Sequence, residues 1–197
     1  MSEVTLYRWA TVAGVLSSVI LLINVLRRAG AVPTNALTHA ISPFAAVLAL
    51  FALTGLYLWQ RSTTGWLGLL GYVLSTAGFA GAVGTEVVVQ FVFAHLPTAQ
   101  VDALVAGPSR PAFVTIALIF TAGALLFGTA MLRSGQVPRL AAAGYLVSMA
   151  VFAWRTVLPE LVVTVDGIVA TAVVVWLSVT LRRAFAPDST ARPMVRR

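Results

Sequence analysis

The sequence predicts an all-α polytopic membrane protein: a bundle of six transmembrane helices with both termini in the cytoplasm. Three observations carry this expectation. First, 59% of the 197 residues are hydrophobic and only 10% are charged, against about 25% charged in an ordinary soluble domain. A soluble core of this size would not hide so much apolar surface, so a mean hydropathy of +0.95 points to the bilayer as solvent. Second, a spanning helix needs about 20 apolar residues, and six stretches qualify: 7–29, 36–59, 66–94, 112–132, 140–158 and 161–181. Third, the breaks between them, such as "RRAGAVPTN", "QRSTTG" and "RSGQVPR", gather the Gly, Pro and Arg that turns and interfaces require.

The first span follows "MSEVTLYRW", which carries Glu3 and lacks a basic n-region. No convincing A-x-A site follows, so this reads as an uncleaved span rather than a removed signal peptide. Asn24 lies near its outer end, and Arg27 and Arg28 beyond it read as side chains that snorkel to headgroups. His39 opens the second span. The third is rich in small residues, from Gly65 through Gly68, Gly71, Ser75 and Gly78 to Gly84. That spacing lets helix backbones approach closely and predicts a central, tightly packed helix; a broken helix lining a cavity is the alternative. The loop from His95 to Pro111 is the longest, and its "TAQVDALV" reads as a short amphipathic turn on the outer surface. Glu160 opens the last span directly after Pro159, where a carboxylate favours the helix dipole. Residues 1–183 form the transmembrane domain, and 184–197 are expected to be a basic, disordered cytoplasmic tail.

Two hairpins share a pattern. "LYLWQRSTTGWLGLLGYVLSTAGFA" and "TAMLRSGQVPRLAAAGYLVSMAVFA" repeat Arg-Ser, Gly-Tyr, a later Ser and Phe-Ala. This reads either as a duplicated helical hairpin or as the shared look of any two short cytoplasmic turns.

Charge gives the orientation. The net charge is +7, and every basic residue is Arg. Six spans put Arg8, Arg61, Arg133, Arg139 and the tail arginines on one side, against Arg27, Arg28 and Arg110 on the other. The excess favours the cytoplasm for both termini. No basic groove with interleaved aromatics accompanies the charge, so no nucleic-acid partner is expected. The absence of cysteine removes disulfides, thiolate catalysis and thiolate metal sites.

The functional signal is a one-sided set of polar residues. Glu86 lies nine residues before His95, about 13 Å below the outer end of span three at 1.5 Å per residue. Asp166 falls about 8 Å, and Arg155 about 6 Å, below the same face by that rise. Gln90 shares the face of Glu86, Asn24 lies near the outer end of span one, and His39 and His95 mark the outer ends of spans two and three. A charge at the bilayer centre costs about 2.5–3.5 kcal/mol, so such groups tend to face a cavity or a partner. Structural roles compete with each: Glu86 nearer the interface than the count places it, Asp166 as the ion-pair partner of Arg155, and the histidines as interfacial groups.

Three functions fit this constellation. The first is a membrane-embedded enzyme that applies acid catalysis to an isoprenoid or other lipid-phase substrate. Glu86 and Asp166 would be the catalytic acid and counter-charge, since two carboxylates at low dielectric take different protonation states. Asn24, His39, Gln90, His95 and Arg155 would bind substrate, and aromatics such as Phe91, Phe93, Phe152 and Trp154 would stabilise cations. The second is a proton-coupled transporter of small solutes. The third is a non-catalytic membrane subunit or lipid-binding scaffold. The expected partners are membrane lipids and a lipid-phase small molecule. No metal is expected, for want of a close-spaced ligand pair such as H-x-x-x-H, and no cofactor.

The stretches "LYRWATVAGVLSSVILL", "GLYLWQRSTTGWLGLLGYVLSTAG" and "LLFGTAMLRSGQVPRLAAAGYLV" resemble the uncharacterised multi-pass integral membrane protein families of actinobacteria. That resemblance implies a six-helix fold and nothing about activity. The pairing of a Glu and an Asp on separate spans is loosely similar to integral membrane terpene cyclases. Their motif around the Glu has no match here and their span count differs, so no catalytic residue follows from it.

Overall fold

The computed structural model describes residues 3–185. It is helical, and among the described residues there is no strand. The elements are α1 (Glu3–Arg28), α2 (Ala36–Phe91), a single 3-10 turn (Phe93–His95), α3 (Thr98–Ala106), α4 (Arg110–Ser134), α5 (Arg139–Ala153) and α6 (Glu160–Ala184). The expected tail at 184–197 lies, beyond Phe185, outside the described residues.

The longest element is a hairpin. A straight helix of 56 residues would run about 84 Å at 1.5 Å per residue. Yet Thr54 hydrogen-bonds Tyr72, Tyr57 stacks on Tyr72, Ser42 reaches Glu86 and His39 reaches Gln90. The reversal is at Gly65, with φ 55° and ψ −147°, a conformation open to glycine because it has no Cβ. α2 is therefore two antiparallel arms, 36–64 and 66–91. Its start is secured by a capping box: Asn35 Oδ1 accepts the Thr38 N–H, and Thr38 Oγ1 accepts the Asn35 N–H.

Counting the arms separately, six segments close into a ring of antiparallel neighbours. Gly55 on the first arm packs on Ala10 of α1, and Ser17 Oγ donates to the Ala45 carbonyl at 2.7 Å. The second arm packs on α4 through Gly71 and Gly78, whose opposite numbers are Phe127 and Phe120. Gly128 seats α4 on Leu146 of α5, and Gly144 seats α5 on Val173 of α6. Gly167 of α6 against Val25 of α1 closes the ring. The Tyr7 and Phe185 rings stack at 3.7 Å, so both ends of the described chain lie with the Gly65 reversal and the 135–138 turn. This is the terminal end; the loops 29–35, 92–109 and 154–159 form the α3 end.

The outward faces are apolar on every segment. Trp9, Phe51, Trp66, Leu118, Val147 and Ile168 are each more than half exposed. A continuous outer apolar surface of this kind would be unstable in water and suits acyl chains. Four helical runs, counting the α2 hairpin as one, are long and apolar enough to cross a membrane; Arg139–Ala153 is apolar but shorter. The chain is an all-α integral membrane bundle.

Several boundaries move. The third segment ends at Phe91 rather than 94, because Val92 breaks the helical geometry and a 3-10 turn follows. Glu86 is thus five residues, about 7.5 Å, from its helix end rather than 13 Å. α5 stops at Ala153, five residues short of the expected 158, and residues 154–158 form turns. The outer loop contains a true helix, α3, whose Val101, Leu104 and Val105 are half-buried along one face. The two similar hairpins are both present and turn at the same end. Their positive-φ glycines, Gly65 and Gly135, do not fall at equivalent places in the shared pattern.

Candidate functional site

The site is assembled at the α3 end by the α2 hairpin. Counting outward from Gly65 in both directions brings Ser42 opposite Glu86 and His39 opposite Gln90. The remaining cations come from the last turn of α1 and from the α5–α6 turn. Trp154 Nε1 donates to Thr121 Oγ1 at 3.1 Å, which ties that turn to α4 and holds the neighbouring Arg155 inward.

Glu86 is the centre. Its Oε1 accepts Arg155 Nη2 at 2.7 Å, with the two side chains only 14% and 8% exposed. Its Oε2 accepts Ser42 Oγ at 3.1 Å and Gln90 Nε2 at 3.1 Å. Gln90 Nε2 also lies 3.2 Å from Ser42 Oγ. The guanidinium carbon of Arg155 sits 4.3 Å from the Phe152 ring centroid, a cation–π contact of about 0.5–2 kcal/mol according to its desolvation. The buried charge is therefore met on several sides, the condition under which a buried pair is tolerated.

The network extends outward through the other end of the Gln90 amide. Its Oε1 accepts Arg27 Nη1 at 2.9 Å and faces His39 Nδ1 at 2.7 Å. The opposite amide orientation would point the Gln90 oxygen at the Glu86 carboxylate, so charge selects this one. With an acceptor facing it, His39 Nδ1 carries the hydrogen. The neighbouring Arg27 Nη1, 3.3 Å away, is then a second donor beside it rather than its partner.

Below these groups is a narrow inter-helical cavity of about 70 Å³, open at the mouth. Five of the six segments line it, α4 excepted. Arg27, Arg28, Asn24, Glu86, Gln90 and Arg155 line the mouth. The depth is apolar, with Leu21, Ala46, Ala49, Phe79, Met149 and Val174 among its walls. Asn24 Oδ1 is buried and has no hydrogen-bond partner.

Of the residues singled out from sequence, Asn24, Glu86, Gln90, Arg155 and Phe152 line this cavity, and His39 joins its polar rim. Phe91 is 48% exposed at the end of α2, His95 is exposed on the 3-10 turn, Phe93 packs on Phe113, and Trp154 bonds to Thr121; none lines the cavity. Asp166 is the main correction. It is buried on α6, but one position before the lining residue Gly167 and therefore turned about a quarter of a helix away. It neither pairs with Arg155 nor meets Glu86; Ser148 of α5 is its polar neighbour, without hydrogen-bond geometry. Arg155 goes to Glu86 because the α5–α6 turn faces the second arm of α2. Ser42 was not singled out, although the reversal at Gly65 would have placed it.

Fold and site together define an integral membrane bundle with a polar-mouthed, apolar-walled central cavity. The chain matches no protein family, no curated protein and no solved structure. Among the described residues no group of His, Cys, Asp or Glu is arranged to hold a metal ion.

Proposed function

We propose that the protein binds a lipid-phase small molecule in its central cavity. We further propose that it does so from the outer leaflet of a bacterial plasma membrane, with both termini cytoplasmic. The observation that carries the reading is the cavity itself: apolar walls from five segments beneath one polar cluster, in a molecule whose outside faces acyl chains. The orientation is supported by Arg8, Arg61, Arg133, Arg139, Arg182 and Arg183 at the terminal end, against Arg27, Arg28, Arg110 and Arg155 at the other.

Acid catalysis on an isoprenoid is a less well supported reading. Glu86 and Phe152 do line the cavity, but Glu86 is surrounded by donors, and a carboxylate that only accepts has no proton to give. Asp166 stands off the cavity. Proton-coupled transport meets the same obstacle, because among the described residues no second carboxylate lines the cavity to pass a proton onward.

The test is native mass spectrometry of the full chain released from lipid nanodiscs. A bound lipid-like mass should be retained by the wild type and lost in Ala49→Phe, which fills the cavity depth, while the melting temperature stays within a few degrees. Equal retention by both proteins would refute cavity binding. Turnover of an isoprenoid that disappears in Glu86→Gln, with binding kept, would promote the catalytic reading instead.

A further inference from the structure

The charges at the cavity mouth do not balance. Arg27, Arg28 and Arg155 face it, and Glu86 is the one carboxylate among the lining residues. Three positive groups against one negative leave a formal excess of two. The excess is localised, because Glu86 is taken by Arg155 at 2.7 Å. Arg27 has only the neutral Gln90 oxygen as an acceptor, with the His39 ring beside it, and no carboxylate lies within ion-pair distance of Arg27 or Arg28 among the described residues. One turn deeper, Asn24 has a buried amide oxygen without a partner. Its Nδ2 is the accessible end of that amide, a donor suited to an anionic oxygen. Below it polarity falls away: from Arg28 to Ser17 the lining of α1 descends about 16 Å at 1.5 Å per residue, and what faces it is Ala46, Ala49, Phe79 and Val174.

Building on the cavity-binding reading above, we infer that the ligand is an amphiphile with an anionic head, phosphate or carboxylate, and a single apolar chain. Arg27 and Arg28 hold the head, Asn24 reaches it from below, and the chain lies in the cavity between α1, the α2 hairpin and α6. Guanidinium groups suit either head, since both offer paired oxygens to a planar fork of donors. Arginines that merely snorkel to bulk headgroups would contact lipid at the rim. Here they line the same space as Phe79 and Val174, so a head bound by them has its chain directed inward. Arg155 positions this site without contacting the head: it holds Glu86, which through Gln90 orders Arg27.

The experiment uses the full chain in phosphatidylcholine nanodiscs and four probes: dodecyl phosphate, dodecanoate, dodecanol and inorganic phosphate. Both anionic amphiphiles should bind roughly tenfold or more tighter than the alcohol. Arg27→Gln with Arg28→Gln should collapse that preference, and Arg28→Gln alone, an exposed residue whose loss leaves the fold intact, should reduce it. Ala49→Phe should weaken all three chains, and inorganic phosphate should not compete. Equal binding of alcohol and anions, still blocked by Ala49→Phe, would overturn the anionic head and leave the cavity reading standing. Binding of all three chains indifferent to Ala49→Phe would overturn both. Competition by inorganic phosphate would reduce the site to a surface anion site and overturn the amphiphile.

Discussion

The two sides of the ring use small residues in opposite ways. Where the second arm of α2 meets α4, Gly71, Gly78 and Gly123 bring backbone onto backbone. A Cβ at Gly78 would sit 2.6 Å from the Phe120 Cα, and those at Gly71 and Gly123 would fall on the backbones of Phe127 and Ser75. The seam is closed, and Phe79 against Phe120 at 4.6 Å seals it further. Where the first arm meets α1, Gly55 packs on Ala10 and Ser17 reaches the Ala45 carbonyl, but beside these contacts Ala45, Ala46 and Ala49 line the cavity with side chains of α1, α5 and α6. Small residues alone do not say which outcome follows. The decision lies with what stands opposite: another backbone closes the space, whereas a ring of segments around a centre leaves it open.

Substitutions at the cavity mouth should break this comparison most severely. Arg155→Ala or Glu86→Ala strands a charge that the structure buries, and each should cost about 3–5 kcal/mol of stability, read as a large fall in the melting temperature of the purified protein. Replacing both, Glu86→Leu with Arg155→Met, should restore most of that loss, because no buried charge is left unmet. A double variant as unstable as the singles would show that the network, not the pair, carries the mouth.

The closed seam comes next. Gly71→Val or Gly123→Val should each cost about 1–3 kcal/mol or more, since the opposing backbone has little room to yield. Gly84→Val, where a Cβ meets nothing, should be nearly silent. Comparable losses at Gly71 and Gly84 would mean that the seam is not a backbone contact. Ser42→Ala removes one donor to the carboxylate and should cost about 1.5 kcal/mol, with Gln90 and Arg155 still holding Glu86. The smallest effect belongs to the cavity: Asn24→Leu should change stability by no more than about 0.5 kcal/mol, because its amide oxygen has no partner to lose. The same change should weaken dodecyl phosphate binding severalfold, which separates a ligand contact from a structural one.

Much of the fold was legible because the bilayer imposes simple rules on a chain. Six apolar stretches, glycine and arginine at the turns, and the small-residue pattern of the third stretch all correspond to segments of the ring. Glu86, Gln90, Asn24 and Arg155 were legible as a group because polar residues on one side of so apolar a chain are rare. Two errors had physical causes. Extending the third helix to 94 followed its apolar run past Phe91, where hydropathy does not register the change of backbone geometry at Val92. Placing Asp166 with Glu86 matched depth but ignored azimuth: at 100° per residue, a neighbour of a lining position faces elsewhere.

Sequence by itself determined the solvent, the helical class and the end of the bundle at which the polar groups gather, because burying backbone and charge in hydrocarbon is so costly that composition and spacing must declare it. Tertiary structure alone decided the partners. Glu86 takes Arg155 rather than leaving it to Asp166, Arg27 and Arg28 face a cavity as well as the rim, and Asn24 is left without a bond. Each depends on the rotation of one helix about its axis relative to the next, and that angle is set by packing across the ring, which no single helix encodes.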